Sequence, residues 1–262
     1  MKIDFKKKFG QNFLSDTNLL SAIVRDSGID ANSVVVEVGP GAGALTRELA
    51  KVAKCVYAFE IDRELEPVLA ENLAEFDNVK VVFRDFLKMT SDDLKNIAGT
   101  GFCVVANLPY YITSPLITKF LTCGLDISSF TVMVQKEVAE RIVAVPKTKD
   151  YGVLSIMVQL CGEPKIARIV GRQMFTPSPK VDSAIVYMDK IKVPKNYEKI
   201  VEFVKTCFAS RRKTLVNNLA KLYAKEKIIA ALGNLSISAA ARAEDLRPKD
   251  FAKLFAIFCK NT

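Results

Sequence analysis

Short apolar stretches rich in β-branched residues alternate with stretches of helical periodicity through the first two-thirds of this 262-residue chain. The apolar stretches predict strands at residues 34–38, 55–59, 79–83, 102–106, 130–134, 165–170 and 184–188. Helices are predicted at residues 45–53, 65–76, 115–123, 136–145 and 151–161, although the last stretch is also compatible with a strand. This alternation predicts an α/β fold with a doubly wound, mostly parallel sheet that is covered by helices on both faces.

The sequence changes in character after Asp189. Residues 1–190 hold 23 basic and 23 acidic side chains, whereas residues 191–262 hold 15 basic and 6 acidic ones, so the whole formal charge of +9 belongs to the last 72 residues. Short helices are predicted there, at residues 198–208, 214–224, 227–232, 239–246 and 248–259. We therefore predict two domains, residues 1–190 and a small all-helical domain at residues 191–262. The excess charge fits either a polyanionic partner or a solvated surface with surplus lysines.

The composition excludes several kinds of site. Because the chain has no His, it cannot build a Ser-His-Asp or Cys-His catalytic pair, a His general base or a His metal ligand, and no metal site is predicted. The six cysteines form no C-x-x-C pair and mostly lie in apolar runs, which predicts reduced, buried thiols in a cytoplasmic protein. The N-terminal segment is charged and has no apolar core, so no signal peptide is predicted. No apolar run approaches the ~18 residues that a membrane span needs, so no span is predicted either.

A glycine-rich segment, Gly39-Pro40-Gly41-Ala42-Gly43, joins the strand predicted at residues 34–38 to a helix. Glycines permit positive φ and a close approach of the backbone to a ligand, but such a segment can also be a simple tight connection. The dinucleotide-binding pattern G-x-G-x-x-G would need a glycine where Ala44 stands. The segment therefore favours a ligand that lacks a pyrophosphate.

An acidic residue follows each of the next two predicted strands. Glu60 comes 17 residues after Gly43, where a carboxylate can accept hydrogen bonds from ribose hydroxyls. Asp85 follows the third strand, where a carboxylate can accept a hydrogen bond from an adenine amine; the alternative for Asp85 is a helix or turn cap. The carboxyl ends of the strands are the edge at which ligands bind in such sheets.

The segment Asn107-Leu108-Pro109-Tyr110 follows the fourth predicted strand. The exocyclic amine of a nucleobase is a poor nucleophile because its lone pair is delocalised into the ring. The Asn107 amide oxygen and a neighbouring backbone carbonyl could accept its two N–H bonds and draw the nitrogen towards sp³ geometry, which needs no strong general base. Pro109 would stiffen the loop, and Tyr110 offers a face for an extruded base. The alternative is an ordinary turn that contains Asn and Pro.

The order of these motifs resembles that of S-adenosylmethionine-dependent, Rossmann-like methyltransferases, and more narrowly that of the ribosomal RNA adenine dimethyltransferase family. The resemblance rests on residues 9–14 (FGQNFL), 39–46 (GPGAGALT), 107–115 (NLPYYITSP), 135–138 (QKEV), 151–155 (YGVLS) and 175–184 (FTPSPKVDSA). In the basic tail it rests on residues 210–215 (SRRKTL) and 217–219 (NNL). The match is dense over residues 6–190 and thinner beyond them.

The resemblance implies a role for individual residues. It implies S-adenosylmethionine as the methyl donor, held by Asn12, Leu14, Gly39, Gly41, Glu60, Asp85 and Asn107, with Glu37 near the methionine amine. It implies a catalytic set of Asn107, Leu108, Pro109, Tyr110 and Phe175, the last either packing against the target base or belonging to the core. RNA phosphates would be bound by Arg211, Arg212 and Lys213 in the tail and by Lys6, Lys7 and Lys8 near the N-terminus.

Two departures from the family pattern stand out. Tyr111 occupies a position where the family often has Asn, which predicts a changed pocket edge. The segment at residues 146–150 (PKTKD) lacks a glycine that is common there, which predicts a stiffer loop.

The resemblance also implies a reaction: dimethylation of N6 of two adjacent adenosines in a loop near the 3′ end of small-subunit ribosomal RNA, linked to small-subunit biogenesis. The expected partners are this RNA and the small ribosomal subunit, and we expect a cytoplasmic monomer with no membrane association. Two alternatives stay open. One is a large-subunit ribosomal RNA adenine methyltransferase that confers antibiotic resistance, and the other is a ribosome-assembly factor without turnover.

Overall fold

The computed structural model describes residues 13–14 and 16–259, so Lys6, Lys7, Lys8 and Asn12 lie outside the described residues. The strands of this part are Phe13–Leu14 (β1), Val34–Val38 (β2), Cys55–Glu60 (β3), Val79–Phe83 (β4), Phe102–Asn107 (β5), Ile127–Gln135 (β6), Lys165–Val170 (β7), Phe175–Thr176 (β8) and Ser183–Asp189 (β9). The helices are Thr17–Ser27 (α1), Ala44–Ala50 (α2), Glu66–Asn72 (α3), Ser91–Ala98 (α4), Thr113–Thr122 (α5), Lys136–Val143 (α6), Val153–Gln159 (α7), Tyr197–Cys207 (α8), Leu215–Leu219 (α9), Lys225–Asn234 (α10) and Pro248–Cys259 (α11). Single 3₁₀ turns lie at Arg63–Leu65, Phe86–Lys88, Tyr110–Ile112, Arg172–Met174 and Ala243–Asp245.

Seven of the strands form one sheet in the order β4-β3-β2-β5-β6-β9-β7. The first five are parallel to one another, and β9 runs antiparallel to both of its neighbours. Val35 and Val36 of the inner strand β2 point to opposite faces of the sheet, and both are fully inaccessible to solvent. Because both faces are covered, the strands lack polar alternation, and the predicted doubly wound, mostly parallel sheet is confirmed.

Two helices that the sequence patterns did not predict are fixed by capping residues. The Asp16 carboxylate accepts a hydrogen bond from the Leu19 backbone N–H at 2.9 Å and begins α1. A capping box between Thr90 and Asp93 begins α4. α1 has 11 residues and α4 has eight, and in each a capping side chain marks the first turn.

The last helices differ in part from those predicted. The helix expected over residues 214–224 covers only Leu215–Leu219, and the one expected over residues 239–246 is wrong, because only the 3₁₀ turn Ala243–Asp245 forms there. Leu246 has extended backbone angles (φ −89°, ψ 142°). The next residue precedes Pro248, which disfavours the helical conformation at that point, so the chain leaves the turn before it enters α11.

Contacts divide the described chain into two compact units. We call them the sheet unit, which runs to Ala139 and includes Pro164–Lys192, and the helical unit, which holds Glu140–Glu163 and the residues from Val193 onwards. The second boundary lies close to the predicted one at residue 190, but the segment Glu140–Glu163 was expected with the sheet. Its Tyr151 and Ile156 are buried in the apolar core that α8 to α11 form, which explains why it packs with the helices.

The six cysteines are all free thiols. Cys123, Cys161 and Cys207 are buried as predicted, Cys55 and Cys103 are half-buried, and Cys259 is exposed at the end of α11. Among the described residues, no helix is long and apolar enough to cross a membrane.

Asn218 in the helical unit joins the end of α8 to the segment that follows it. Its side-chain Nδ2 donates to the carbonyl oxygens of Cys207 at 2.7 Å and Ser210 at 3.0 Å. We expect Asn218→Ala to lower the free energy of unfolding by about 2 kcal/mol, because it leaves a buried carbonyl without a donor. The neighbouring, exposed Asn217 is the matched control, and Asn217→Ala should change it by less than about 0.5 kcal/mol. Urea unfolding measures both; equal losses would contradict this role for Asn218.

Candidate active site

A cleft lies at the carboxyl ends of β2, β3, β4 and β5. The predicted site residues that line it are Leu14, Gly39, Gly41, Glu60, Asp85, Asn107, Leu108, Pro109 and Tyr110. The register of the sheet explains their proximity, since Val38 lies opposite Phe59 and the residues after both strands meet at the same height. Residues separated along the chain therefore come together because their strands are parallel neighbours.

The glycine loop between β2 and α2 has backbone angles that favour glycine. Gly39, Gly41 and Gly43 have φ of +75°, +59° and +84°. A Cβ atom at Gly39 would lie 3.2 Å from Cγ of Pro109, so this glycine also permits the close approach of the loop that follows β5. The glycine loop and the Asn107 loop (residues 107–112) thus pack directly against each other at the cleft.

Glu60 ends β3 as a buried carboxylate that receives backbone N–H groups. Its Oε1 accepts from Ile61 and Asp62, both at 2.9 Å, and its Oε2 accepts from Gly41 at 3.3 Å. Burial raises the pKa of this carboxyl, although the three backbone donors act in the opposite direction. These bonds hold Glu60 at the cleft wall beside the glycine loop.

Glu37 is a second buried carboxyl on the cleft wall, on β2. Its Oε2 accepts a hydrogen bond from the Thr46 hydroxyl at 2.7 Å. Burial raises the pKa of Glu37 to about 8, with a smaller contribution from the nearby Glu60, while the Thr46 hydroxyl lowers it. At neutral pH Glu37 is therefore mostly protonated, and a cation placed in the cleft would favour its ionised form.

The position of Asp85 is compatible with both alternatives that the sequence left open, a turn cap and a ligand-binding carboxylate. Its Oδ1 accepts from the Leu87 backbone N–H at 3.1 Å and caps the 3₁₀ turn, and its Oδ2 lies 3.7 Å from Nζ of Lys88. The residue lines the cleft as well. Its carboxylate can therefore cap the turn and still face a ligand.

Apolar side chains that were not predicted complete this end of the cleft. Ile61, Phe86 and Leu87 line it beside Asp85, and Ile61 is 48% exposed. Exposed apolar surface beside a few polar groups is typical of a small-molecule site and suits a planar ring. One signal in the sequence could have found Ile61, namely an apolar residue between the acids Glu60 and Asp62 at a strand end.

The Asn107 loop leaves two acceptors free. Pro109 O accepts from the Ile112 backbone N–H at 3.1 Å and from the Thr113 hydroxyl at 3.2 Å, and Leu108 N–H donates to Met133 O at 3.1 Å. In contrast, neither the Asn107 side chain nor the Leu108 carbonyl makes a hydrogen bond within the described part of the chain. Both residues line the cleft, so two unpaired oxygen acceptors on consecutive residues are available to a bound amine.

Tyr110 lies at the start of the 3₁₀ turn that follows these acceptors. Its hydroxyl shares a 2.5 Å hydrogen bond with the hydroxyl of the buried Ser183 on β9. Burial raises the pKa of Tyr110, so the phenol stays neutral. The neighbouring Tyr111 is 56% exposed and lines the cleft, and its predicted effect on the pocket edge stays a prediction.

Not every predicted site residue lies at the cleft. Phe175 on β8 is only 3% exposed, pairs with Leu14 of β1 and packs in the core of the sheet unit, which agrees with its alternative as a core residue. Arg211, Arg212 and Lys213 are exposed in the helical unit, between α8 and α9. Their predicted roles in RNA binding stay predictions.

The residues of the cleft suit the cofactor that the resemblance implies. Left-handed glycines let the backbone approach a ligand closely, the Glu60 and Asp85 carboxylates can accept hydrogen bonds, and Glu37 can meet a cation. Most of the other residues that line the cleft are apolar, as is usual where a drug-sized ligand is bound. S-adenosylmethionine offers a cationic amino acid end, a ribose and an adenine, and each of these groups finds a complementary type of residue.

Known proteins are similar to this chain in sequence and in architecture. A family model described as Ribosomal RNA adenine dimethylase matches residues 2–260. The Ribosomal RNA small subunit methyltransferase A of Geobacillus thermodenitrificans is 45% identical over 265 residues, which cover 95% of this chain and 89% of that protein. The structure of a dimethyladenosine transferase from Plasmodium falciparum is similar with a TM-score of 0.81 and 27% identity, over 95% of this chain and 98% of that one. The structure of the 23S rRNA methyltransferase ErmE is similar with a TM-score of 0.72 and 31% identity, over 94% and 99% of the two chains.

The match of the family model spans almost the whole chain, and the strand-end cleft, the glycine loop and the Asn107 loop belong to the part that it covers. The chain belongs to the ribosomal RNA adenine dimethylase family.

Proposed function

We propose that the protein transfers methyl groups from S-adenosylmethionine to N6 of adenosines in small-subunit ribosomal RNA. Two adjacent adenosines in a loop near the 3′ end each receive two methyl groups. The observation that carries this proposal is the pair of unpaired acceptors, the Asn107 amide oxygen and the Leu108 carbonyl, which are set into a cleft suited to the cofactor. An amine with two N–H bonds is the group that such a pair can orient.

The chain's own residues prepare the amine. When bound, S-adenosylmethionine supplies an electrophilic methyl group on its sulfonium. In the first transfer Asn107 and Leu108 accept the two N–H bonds of the adenine amine, and in the second transfer one of them accepts the single N–H that remains. These bonds localise the lone pair on nitrogen and direct it away from the acceptors. Pro109 fixes the loop through the bonds that its carbonyl accepts. As the bond from nitrogen to the methyl carbon formed, the carbon–sulfur bond would break and the sulfur would leave as a neutral thioether. The alkylated nitrogen is acidic and releases its proton to water, so the reaction needs no strong general base.

Tyr110 offers a surface for the target base. An adenine in a helical stack cannot reach a cleft, and it must swing out at a cost of a few kcal/mol that is smaller in a hairpin loop. The Tyr110 ring lines the cleft next to the two acceptors, and the Ser183 hydroxyl fixes its far end. Stacking on this ring would replace part of the lost base stacking.

The partners of the protein follow from the same proposal. The RNA is read as part of the small ribosomal subunit during its biogenesis, in the cytoplasm, by a monomer. The positive charge of the tail, a net +9 over residues 191–262, supports attraction to a polyanion.

A large-subunit RNA target is the second candidate, because the 23S rRNA methyltransferase ErmE is 31% identical. Its support is weaker than that for the first candidate. The relative named for the small subunit is 45% identical over a similar share of the chain.

The proposed substrate is tested with purified protein, labelled S-adenosylmethionine and each ribosomal subunit taken from cells that lack this protein. We expect N6,N6-dimethyladenosine at two adjacent positions near the 3′ end of the small-subunit RNA. Label in the large-subunit RNA alone would establish the second candidate instead. Cofactor binding with no label in either subunit would point to an assembly factor without turnover.

Asn107→Ala should lower kcat by about 100-fold or more, the range seen when one preorganised polar contact to a reacting group is removed. Because the Asn107 side chain makes no hydrogen bond within the described residues, the free energy of unfolding should change little. Ser114→Ala, an exposed residue a few positions on, is the control and should keep full activity. Rates are measured at saturating cofactor, so that weaker cofactor binding cannot explain the loss. Near-normal kcat would exclude this role for Asn107.

Glu37→Gln should alter how stability depends on pH. The pKa of Glu37 rises from about 4.5 to about 8 in the folded protein, so its contribution is greatest below pH 4.5 and is lost as the pH rises through about 8. The loss approaches about 1.4 kcal/mol per pH unit between these values. Urea unfolding of the protein without cofactor at pH 5.5, 7 and 8.5 should show this slope, and Glu37→Gln should remove the part that Glu37 contributes, while the part from the buried Glu60 remains.

The exposed Glu198 gives the control variant, Glu198→Gln, which should keep the slope. If Glu37 holds the ammonium group of S-adenosylmethionine, as the resemblance implies, cofactor binding at pH 7 should release a proton, which calorimetry in buffers of different ionisation enthalpy detects. An unchanged slope in Glu37→Gln would show that Glu37 is ionised in the folded protein.

A further inference from the structure

Lys147 adopts a backbone conformation that favours glycine. It has φ of +67°, within the left-handed region that a lysine rarely occupies. The Lys147 N–H donates to the backbone carbonyl of Glu244 at 2.8 Å, and the Thr148 hydroxyl donates to Val145 O at 2.7 Å, so the conformation is fixed on both sides. These bonds hold Lys147 in a conformation that glycine would adopt with less strain, so the loop keeps a lysine side chain at a defined place on the surface.

Arg211 ties this loop to two other segments of the helical unit. Its guanidinium donates to the carbonyl of Lys149 at 2.9 and 3.0 Å and to the carbonyl of Tyr151 at 3.4 Å. It also donates to Oε2 of Glu244 at 3.1 and 3.3 Å. The planar fork of Arg211 is therefore directed at protein acceptors, and Arg211 is a poor candidate for binding RNA phosphates directly.

Four other cations of the two segments that Arg211 joins are free of such bonds. Lys147 and Lys149 belong to the loop that Arg211 holds, and Arg212 and Lys213 directly follow Arg211 in sequence. All four are exposed, and within the described residues none of their side chains takes part in an ion pair or hydrogen bond. An unpaired, exposed cation that binds an RNA phosphate displaces the counterions that were condensed on the RNA, and this favours binding. A cation that is already paired with a carboxylate contributes much less to the binding free energy.

We propose that Lys147, Lys149, Arg212 and Lys213 form one surface that binds the RNA phosphate backbone, and that Arg211 positions the Lys147–Lys149 loop on it. We call it the Lys147 surface. The proposal rests on the proposed function for the identity of the partner. The proposal assigns phosphate binding to a loop within residues 1–190, the range predicted to be the catalytic domain. Arg211, which was predicted to bind phosphate, has a positioning role instead.

The loop is tested first by the salt dependence of binding to two probes, small-subunit ribosomal RNA and an RNA duplex of unrelated sequence. Lys147→Gly with Lys149→Ala should lower the slope of log K against log salt by about 0.7–0.9 for each phosphate that the variant no longer neutralises. The glycine relieves backbone strain, so the variant should be as stable as the parent, and misfolding cannot explain its weaker binding. Lys225→Ala with Lys227→Ala removes two exposed lysines of α10 as a control and should change the slope less. Equal slopes for the two double variants would overturn the proposal.

The role of Arg211 is tested by a double-mutant cycle. If Arg211 acts through the loop, Arg211→Ala weakens RNA binding in the parent protein but adds little when Lys147 and Lys149 are already replaced. If Arg211 binds a phosphate itself, the loss is the same in both backgrounds, and the positioning role is wrong. Arg212→Ala with Lys213→Ala should weaken binding in both backgrounds.

Two acidic residues give a comparison in which charge and positioning predict opposite results. Glu244→Ala and Asp150→Ala each remove one carboxylate near the Lys147 surface, so electrostatics alone predicts tighter RNA binding for both variants. Of these two carboxylates, only that of Glu244 accepts hydrogen bonds from Arg211. The exposed Asp150 makes no side-chain hydrogen bond within the described residues. We expect Asp150→Ala to tighten RNA binding, and Glu244→Ala to weaken it because Arg211 loses its carboxylate acceptor. Tighter binding by both variants would overturn the positioning role.

The two probes separate this proposal from the proposed function. Phosphate contacts do not read sequence, so the slope of the loop variant should also fall with the unrelated duplex. If the slope of the loop variant falls with both probes while the parent protein methylates neither ribosomal subunit, only the proposed function fails. If methylation of the small-subunit RNA is found and the slope is unchanged with both probes, only the Lys147 surface fails.

Discussion

The parallel pairing of β2 with β3 on one side and β5 on the other is the constraint on which the site depends. It places the glycine loop, Glu60 and the Asn107 loop at one edge of the sheet, although they are far apart in sequence. The close packing of Gly39 against Pro109 then sets the distance between the segment that approaches the cofactor and the segment that holds the amine. A side chain at Gly39 would move the two loops apart, and so would any slip of register between these strands.

The residues of this edge were predictable because each one directly follows an apolar strand. The partners that hold them were not, because these contacts join distant segments. Tyr110 meets Ser183 across 73 residues, and nothing in the local pattern of either segment indicates it. For Phe175 the prediction failed for a similar reason. The family position suggested an aromatic ring that contacts the target base, whereas the pairing of β1 with β8 buries this ring in the core.

The helical unit was harder to delimit from sequence. Its basic tail was visible in the composition, but the segment Glu140–Glu163 lies within the alternating pattern of strands and helices. Only the fold shows that the apolar face of α7 completes the core of α8 to α11. The same packing brings the loop after α6 to Arg211, so that cations from two stretches of sequence come to lie together.

The central claim is that the two acceptors of the Asn107 loop orient an adenine amine of small-subunit ribosomal RNA for methylation. Mass mapping of this RNA from cells that lack the protein, and from the same cells supplied with the parent protein or with Asn107→Ala, tests it most directly. The account predicts two adjacent N6,N6-dimethyladenosines near the 3′ end with the parent protein, and their absence both without the protein and with Asn107→Ala. Full dimethylation in cells that carry only Asn107→Ala would contradict it.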